Sequence, residues 1–106
     1  MKEMKYAKFT PFNADIVIHS QEQLAHYPKI QIIELPGHTL GSIGIIFDGN
    51  LFVGDLLMNL PIPSKSWFAE DFDMLTNSIE TIKSLKIQRI YPGHGTSFSA
   101  KWLKLV

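Results

Sequence analysis

Apolar positions recur along this chain with two different periods, and each period predicts its own kind of element. Ile30-Gln31-Ile32-Ile33-Glu34-Leu35, Ile43 to Phe47 and Leu51-Phe52-Val53 are short runs rich in β-branched and aromatic residues, bounded by turn formers, and they read as strands. Asp48-Gly49-Asn50 joins the last two as a hairpin, because Asp-Gly readily supplies the positive φ that tight turns need. That makes Asp48 a turn residue rather than a ligand. Upstream, Asp15-Ile16-Val17-Ile18-His19 predicts a first strand, and Ser20 can cap a brief helical turn through Leu24 that Pro28 closes.

A longer period appears from Glu70 to Leu85, where Phe72, Leu75, Ile79, Ile82 and Leu85 stand three or four residues apart. This is one amphipathic helix with its apolar stripe in the core, and Glu70-Asp71 at its start and Lys83 near its end suit the helix dipole. Ile87 to Tyr91 predicts a last strand, and residues 101–106 are short enough to be strand or helix. Between Asp55 and the helix, Leu56 to Phe68 reads as an apolar loop with two prolines. It is either a substrate wall or interface, or a loop packed on its own core. Tyr6, Phe9 and Phe12 in the N-terminal arm carry the same ambiguity, with Pro11 favouring an extended path.

Composition limits what such a chain can be. At 106 residues it holds one domain at most, and 45% hydrophobic with 19% charged residues describes a globular rather than a disordered chain. The formal net charge is zero and the Lys and Arg residues are scattered, so the basic footprint of a nucleic-acid binder is absent. Cysteine is absent, which removes disulfides and thiolate ligands. No apolar run approaches the length of a membrane span and none follows the N-terminus as a leader would, so the expected location is the cytoplasm.

The candidate chemistry lies in three segments: Leu35-Pro36-Gly37-His38-Thr39-Leu40-Gly41-Ser42, Val53-Gly54-Asp55 and Tyr91-Pro92-Gly93-His94-Gly95. A His or Asp beside Gly in a turn usually serves the turn itself. Three such residues, each following a strand-like run and flanked by glycines that let backbone approach an ion closely, look instead like part of a metal site. Imidazole and carboxylate suit Zn, Fe or Mn, and three donors do not choose among them. His19 and His26 stand alone, with no clustered donor to give chelation.

From about Ala14 to Gly95 the chain resembles the C-terminal half of the metallo-β-lactamase-fold hydrolases. The Pro-Gly-His-Thr-x-Gly-Ser form and the Gly-His-Gly ending are most similar to the glyoxalase II and lactonase-like branch. The resemblance implies an α/β (α+β) fold: half of an αββα sandwich, with one mainly antiparallel sheet and one main helix. It also implies metal ligands at His38 and His94, with Asp55 as the catalytic carboxylate bridging two metals. The activity implied is hydrolysis of a small ester, thioester or lactone by metal-bound hydroxide.

The departure is as informative. The family's His-x-His-x-Asp-His motif, which supplies most of the remaining ligands, does not occur in this sequence. The reading is therefore a single partial domain over 1–106, with an arm at 1–13 and a half-domain at 14–106. A partial site binding Zn (or Fe or Mn) weakly and an inactive isolated chain are expected. A half-sandwich would leave Ile32, Ile43, Ile45, Phe47 and Phe52 uncovered, so a homodimer, or the missing half, is the expected partner. The alternatives are a non-catalytic half-domain that dimerises and binds metal or a protein, and an unrelated α/β domain with fortuitous motifs.

Overall fold

The computed structural model describes residue 27 and residues 29–106. The strand expected at Asp15–His19, the turn capped by Ser20, the arm around Tyr6 to Phe12, Pro28, His19 and His26 lie outside the described residues.

Among the described residues, six strands form one sheet. In chain order they are β1 (Ile30–Glu34), β2 (Ile43–Phe47), β3 (Asn50–Asn59), β4 (Pro63–Lys65), β5 (Arg89–Gly95) and β6 (Phe98–Ser99). The sheet runs β1-β2-β3-β5-β6, with β4 paired to β3. Every pairing is antiparallel except β3 with β5, which is parallel. A parallel pair needs a long crossover, and the helix α1 (Phe72–Lys83) provides it. The chain ends in a 3-10 helix, Ala100–Leu105, which resolves the ambiguity of the last six residues.

The expected hairpin is present. Asp48 and Gly49 both have positive φ, 52° and 77°, and Phe47 pairs with Asn50 across them. This is the two-residue turn whose twist matches that of the strands it joins. The helix is shorter at both ends than the expected span from Glu70 to Leu85. Asp71 is the N-cap, accepting the Met74 N–H at 3.0 Å, and Glu70 lies outside the helix. Leu75, Ile79 and Ile82 are buried as the period predicts, whereas Phe72 is exposed.

The apolar segment after Asp55 is not a single loop. β3 runs on to Asn59, burying Leu56, Leu57 and Met58, and Pro63–Lys65 returns as β4. The large apolar side chains exposed in this stretch are Leu60, Ile62, Trp67 and Phe68.

Alternation in the strands sorts the residues onto two faces. Leu51, Val53 and Ile90 point to one side and join Leu35, Leu75, Ile79, Ile82, Phe98 and Leu103 in the core. Burying each such aliphatic side chain contributes about 1.5–3 kcal/mol. The other side carries Ile43, Ile45, Phe47 and Phe52, all exposed, with Phe52 stacked on Tyr91 at 4.6 Å between ring centroids. Among the described residues the core is thus one-sided: helix and 3-10 helix cover one face of the sheet, and no described element covers the other.

Candidate metal centre

Each of the three candidate ligands is placed by a different element. His38 sits in the loop after β1, which is pressed onto the start of α1. Gly37, at φ 146°, packs so closely on Leu75 that a Cβ there would meet the Leu75 backbone. The buried Ser78 hydroxyl donates to the Pro36 carbonyl at 2.6 Å, Asp71 N–H donates to Gly37 O, and Glu70 N–H donates to His38 O. Glu70 also accepts the Leu40 N–H through its carboxylate at 3.2 Å. The loop therefore moves with the helix.

Asp55 and His94 were expected in loops, yet both lie within strands, β3 and β5. Gly54 explains how a strand can present Asp55. Its φ is 57°, and the β3–β5 register slips on either side of it, so the alternation breaks and Asp55 is exposed while Leu56, Leu57 and Met58 are buried in succession. Gly93 is needed for a different reason. A Cβ there would collide with Asp55 Oδ1 and with the Gly54 backbone, so only glycine lets β5 pass beside the carboxylate. Gly41 has neither a positive φ nor a close neighbour, and the reason read for it from the sequence does not hold.

These elements bring the three side chains together at Asp55. His94 Nε2 lies 3.3 Å from Asp55 Oδ1, and His38 Nε2 lies 3.7 Å from Asp55 Oδ2. One carboxylate oxygen faces each imidazole. Both separations are longer than a good N–H···O hydrogen bond. Two ligands about 2.0–2.1 Å from one tetrahedral ion are themselves about 3.3 Å apart, so the His94–Asp55 spacing matches ligands flanking a cation, and the His38–Asp55 spacing is wider.

The other face of His38 sharpens this. Its Nδ1 lies 2.7 Å from the Phe68 carbonyl oxygen, which can only accept, so Nδ1 carries the hydrogen. In the neutral ring Nε2 then presents a lone pair to Asp55 Oδ2. Two acceptors facing each other at this distance leave a place where a cation would be favoured. The donor chemistry fits a cation.

Two groups escaped the sequence reading. Ser66, buried, donates to the same Phe68 carbonyl at 2.8 Å, accepts the Phe68 N–H at 3.3 Å and lies 3.3 Å from His38 Nδ1. Together Ser66 and the Phe68 carbonyl fix the tautomer and aim of His38, as outer partners do for metal-binding histidines. The signal available was a polar residue inside an apolar stretch, which alone does not distinguish a turn from a site. Among the described residues no group of three or more His, Cys, Asp or Glu side chains is arranged to hold a single ion. The geometry is two His–carboxylate pairs sharing one Asp, with no third donor among the described residues to complete either.

A family model described as the metallo-β-lactamase superfamily matches residues 28–94, which include all three side chains. The chain belongs to that superfamily. It is 35% identical over 79 residues to a probable metallo-hydrolase of Methanocaldococcus jannaschii, covering 71% of this chain and 38% of the relative. Its fold superposes on an archaeal metallo-β-lactamase superfamily protein from Sulfolobus tokodaii with a TM-score of 0.62 at 21% identity, over 72% of this chain and 31% of the other. A second structure, of a protein in a di-iron-bound form, gives 0.54 at 27% identity, over 70% and 39% of the two chains. This superfamily chain thus spans only about a third of the length of these relatives, from 31% to 39%. No helix among the described residues is long and apolar enough to cross a membrane.

Proposed function

We propose that this chain carries part of the centre of a metal-dependent hydrolase acting on a small ester, thioester or lactone, and that it is inactive alone. The observation that supports this is the Asp55 carboxylate with one oxygen turned to each of His38 and His94. His38 and His94, each paired with Asp55, would supply ligands to a cation, and such a cation when bound would act as a Lewis acid and could lower the pKa of water to about 7. The residues themselves do the preparatory work. Phe68 O holds the Nδ1 proton of His38, freeing Nε2; Ser66 holds Phe68 O; Gly93 keeps room for the carboxylate.

Zn, Fe or Mn all suit these donors, and superfamily membership together with a di-iron relative favours no one of them for this chain. The second reading, a non-catalytic module that binds metal, is favoured by the absence of a third donor among the described residues. Calorimetry with Zn2+, Fe2+ and Mn2+ on the full chain, beside hydrolysis of lactone, thioester and β-lactam substrates, tests both. Weak cation binding that Asp55→Ala abolishes, without turnover, is the expected result. Nanomolar affinity in a monomer would refute the partial site, and metal-dependent turnover lost in Asp55→Ala would refute inactivity.

A further inference from the structure

The open face of the sheet has a charge pattern as well as an apolar centre. Register places Ile30, Ile32 and Glu34 of β1, Ile43, Ile45 and Phe47 of β2, Asn50 and Phe52 of β3, and Arg89 and Tyr91 of β5 on the same side. Within this field only Glu34 and Arg89 are charged. They stand at opposite corners. Glu34 lies at the far end of β1, beside Ile43, and Arg89 at the near end of β5, beside Asn50, three strands across and four residues along. Those steps are about 14 Å and about 13 Å, so the line joining the charges runs near 45° to the strands.

The geometry points to a second copy of this chain as the occupant of this face, in a two-fold dimer whose sheets cross at about 90° and in which Glu34 of each copy meets Arg89 of the other. A two-fold axis lying in the face can swap the two corners only along the opposite diagonal. That rotation turns the strand direction by about 90°, one of the two packings sheets adopt. An axis along the strands would carry Glu34 over the far end of β5, and one across them would carry it over Ile30, leaving its carboxylate without a cation in both cases. Complementary charges at the rim fix such a register.

The area is of the right size. Ile43, Ile45, Phe47 and Phe52 are 38–45% exposed. With side chains of roughly 200 Å2 they leave about 350 Å2 open, within the range of a monomer's largest apolar patch, which is often a functional one. Two copies bury twice that. The half-buried Ile30, Ile32 and Tyr91 and the charged corners bring the total toward the roughly 1,000 Å2 of a stable interface. This inference stands apart from the metal reading, because its argument uses none of Asp55, His38 and His94.

Sedimentation velocity across the micromolar range tests it on the full chain, with Glu34→Arg and Arg89→Glu alone and mixed. The wild type is expected to dimerise, and its melting temperature to rise with protein concentration. Each reversal places like charges at both corners and should weaken its own homodimer at least about tenfold. Mixing the two variants pairs opposite charges at both corners and should restore dimers, which also shows that both fold. A monomer at all concentrations, whether its face is covered by the segment before residue 29 or bare, overturns the proposal. So does a dimer indifferent to the reversals, as edge-to-edge pairing through β1 would give, or a mixture that fails to restore it.

Discussion

Replacing Gly93 by Ala tests the site through one methyl group. The added Cβ would lie 2.8 Å from the Gly54 carbonyl carbon and 2.9 Å from its oxygen, and closer still to Asp55 Oδ1. The carboxylate, 47% exposed, can swing away, but only by leaving His94. The Gly54 backbone cannot yield as cheaply, since Gly54 pairs with Pro92 where β3 joins β5. Overpacking of this kind costs about 1–3 kcal/mol. For a domain of this size each kcal/mol lowers the melting temperature by about 4–8 °C. Thermal unfolding followed by circular dichroism at one fixed concentration should therefore show a fall of at least several degrees. Gly41→Ala, with nothing within 4 Å of its Cβ, should stay within about 0.5 kcal/mol of wild type. Cation binding by Gly93→Ala should weaken about 10–100-fold, as when an orienting partner is lost. If Gly93→Ala melts with the wild type and binds cations equally well, the steric account of this glycine is wrong.

Asp71→Ala removes the N-cap acceptor of Met74 N–H and should destabilise the fold by about 0.5–2 kcal/mol in urea unfolding, with Asp71→Asn or Asp71→Ser recovering most of it. Ser66→Ala leaves the His38–Phe68 bond in place but removes its support; the expected result is cation affinity lowered about tenfold or more by calorimetry, with secondary structure unchanged.

Much of this fold is legible in the sequence because local chemistry and tertiary demand agree. Asp48-Gly49 wants the turn it makes, and Leu75, Ile79 and Ile82 fall on one side at the helical period because the core is on one side. What the sequence hides is the second half of β3. Alternation is the signature of a strand covered on one side, and the irregularity at Gly54 removes it, leaving Leu56-Leu57-Met58 as a run without period. Pro61 and Pro63 then speak for a loop, although Pro63 begins a three-residue strand at the end of the sheet, where proline is tolerated. In the site, the three candidate ligands were visible as residue types beside glycines. Their support was not: Ser66 meets His38 across 28 positions, and the Phe68 carbonyl leaves no mark in a side-chain pattern.

The parallel pairing of β3 with β5 has a consequence for the order in which this molecule can be made. The β2–β3 hairpin closes through two residues and needs nothing else, so Asp55 can reach its strand early. His94 arrives only after the chain has looped through α1 and back, because the parallel strand finds its place when the helix has docked on the sheet. His38 in turn is anchored to the start of that helix. The complete set of donors therefore exists only once the crossover is in place, so an ion that needs both imidazoles meets them together only in a nearly finished fold.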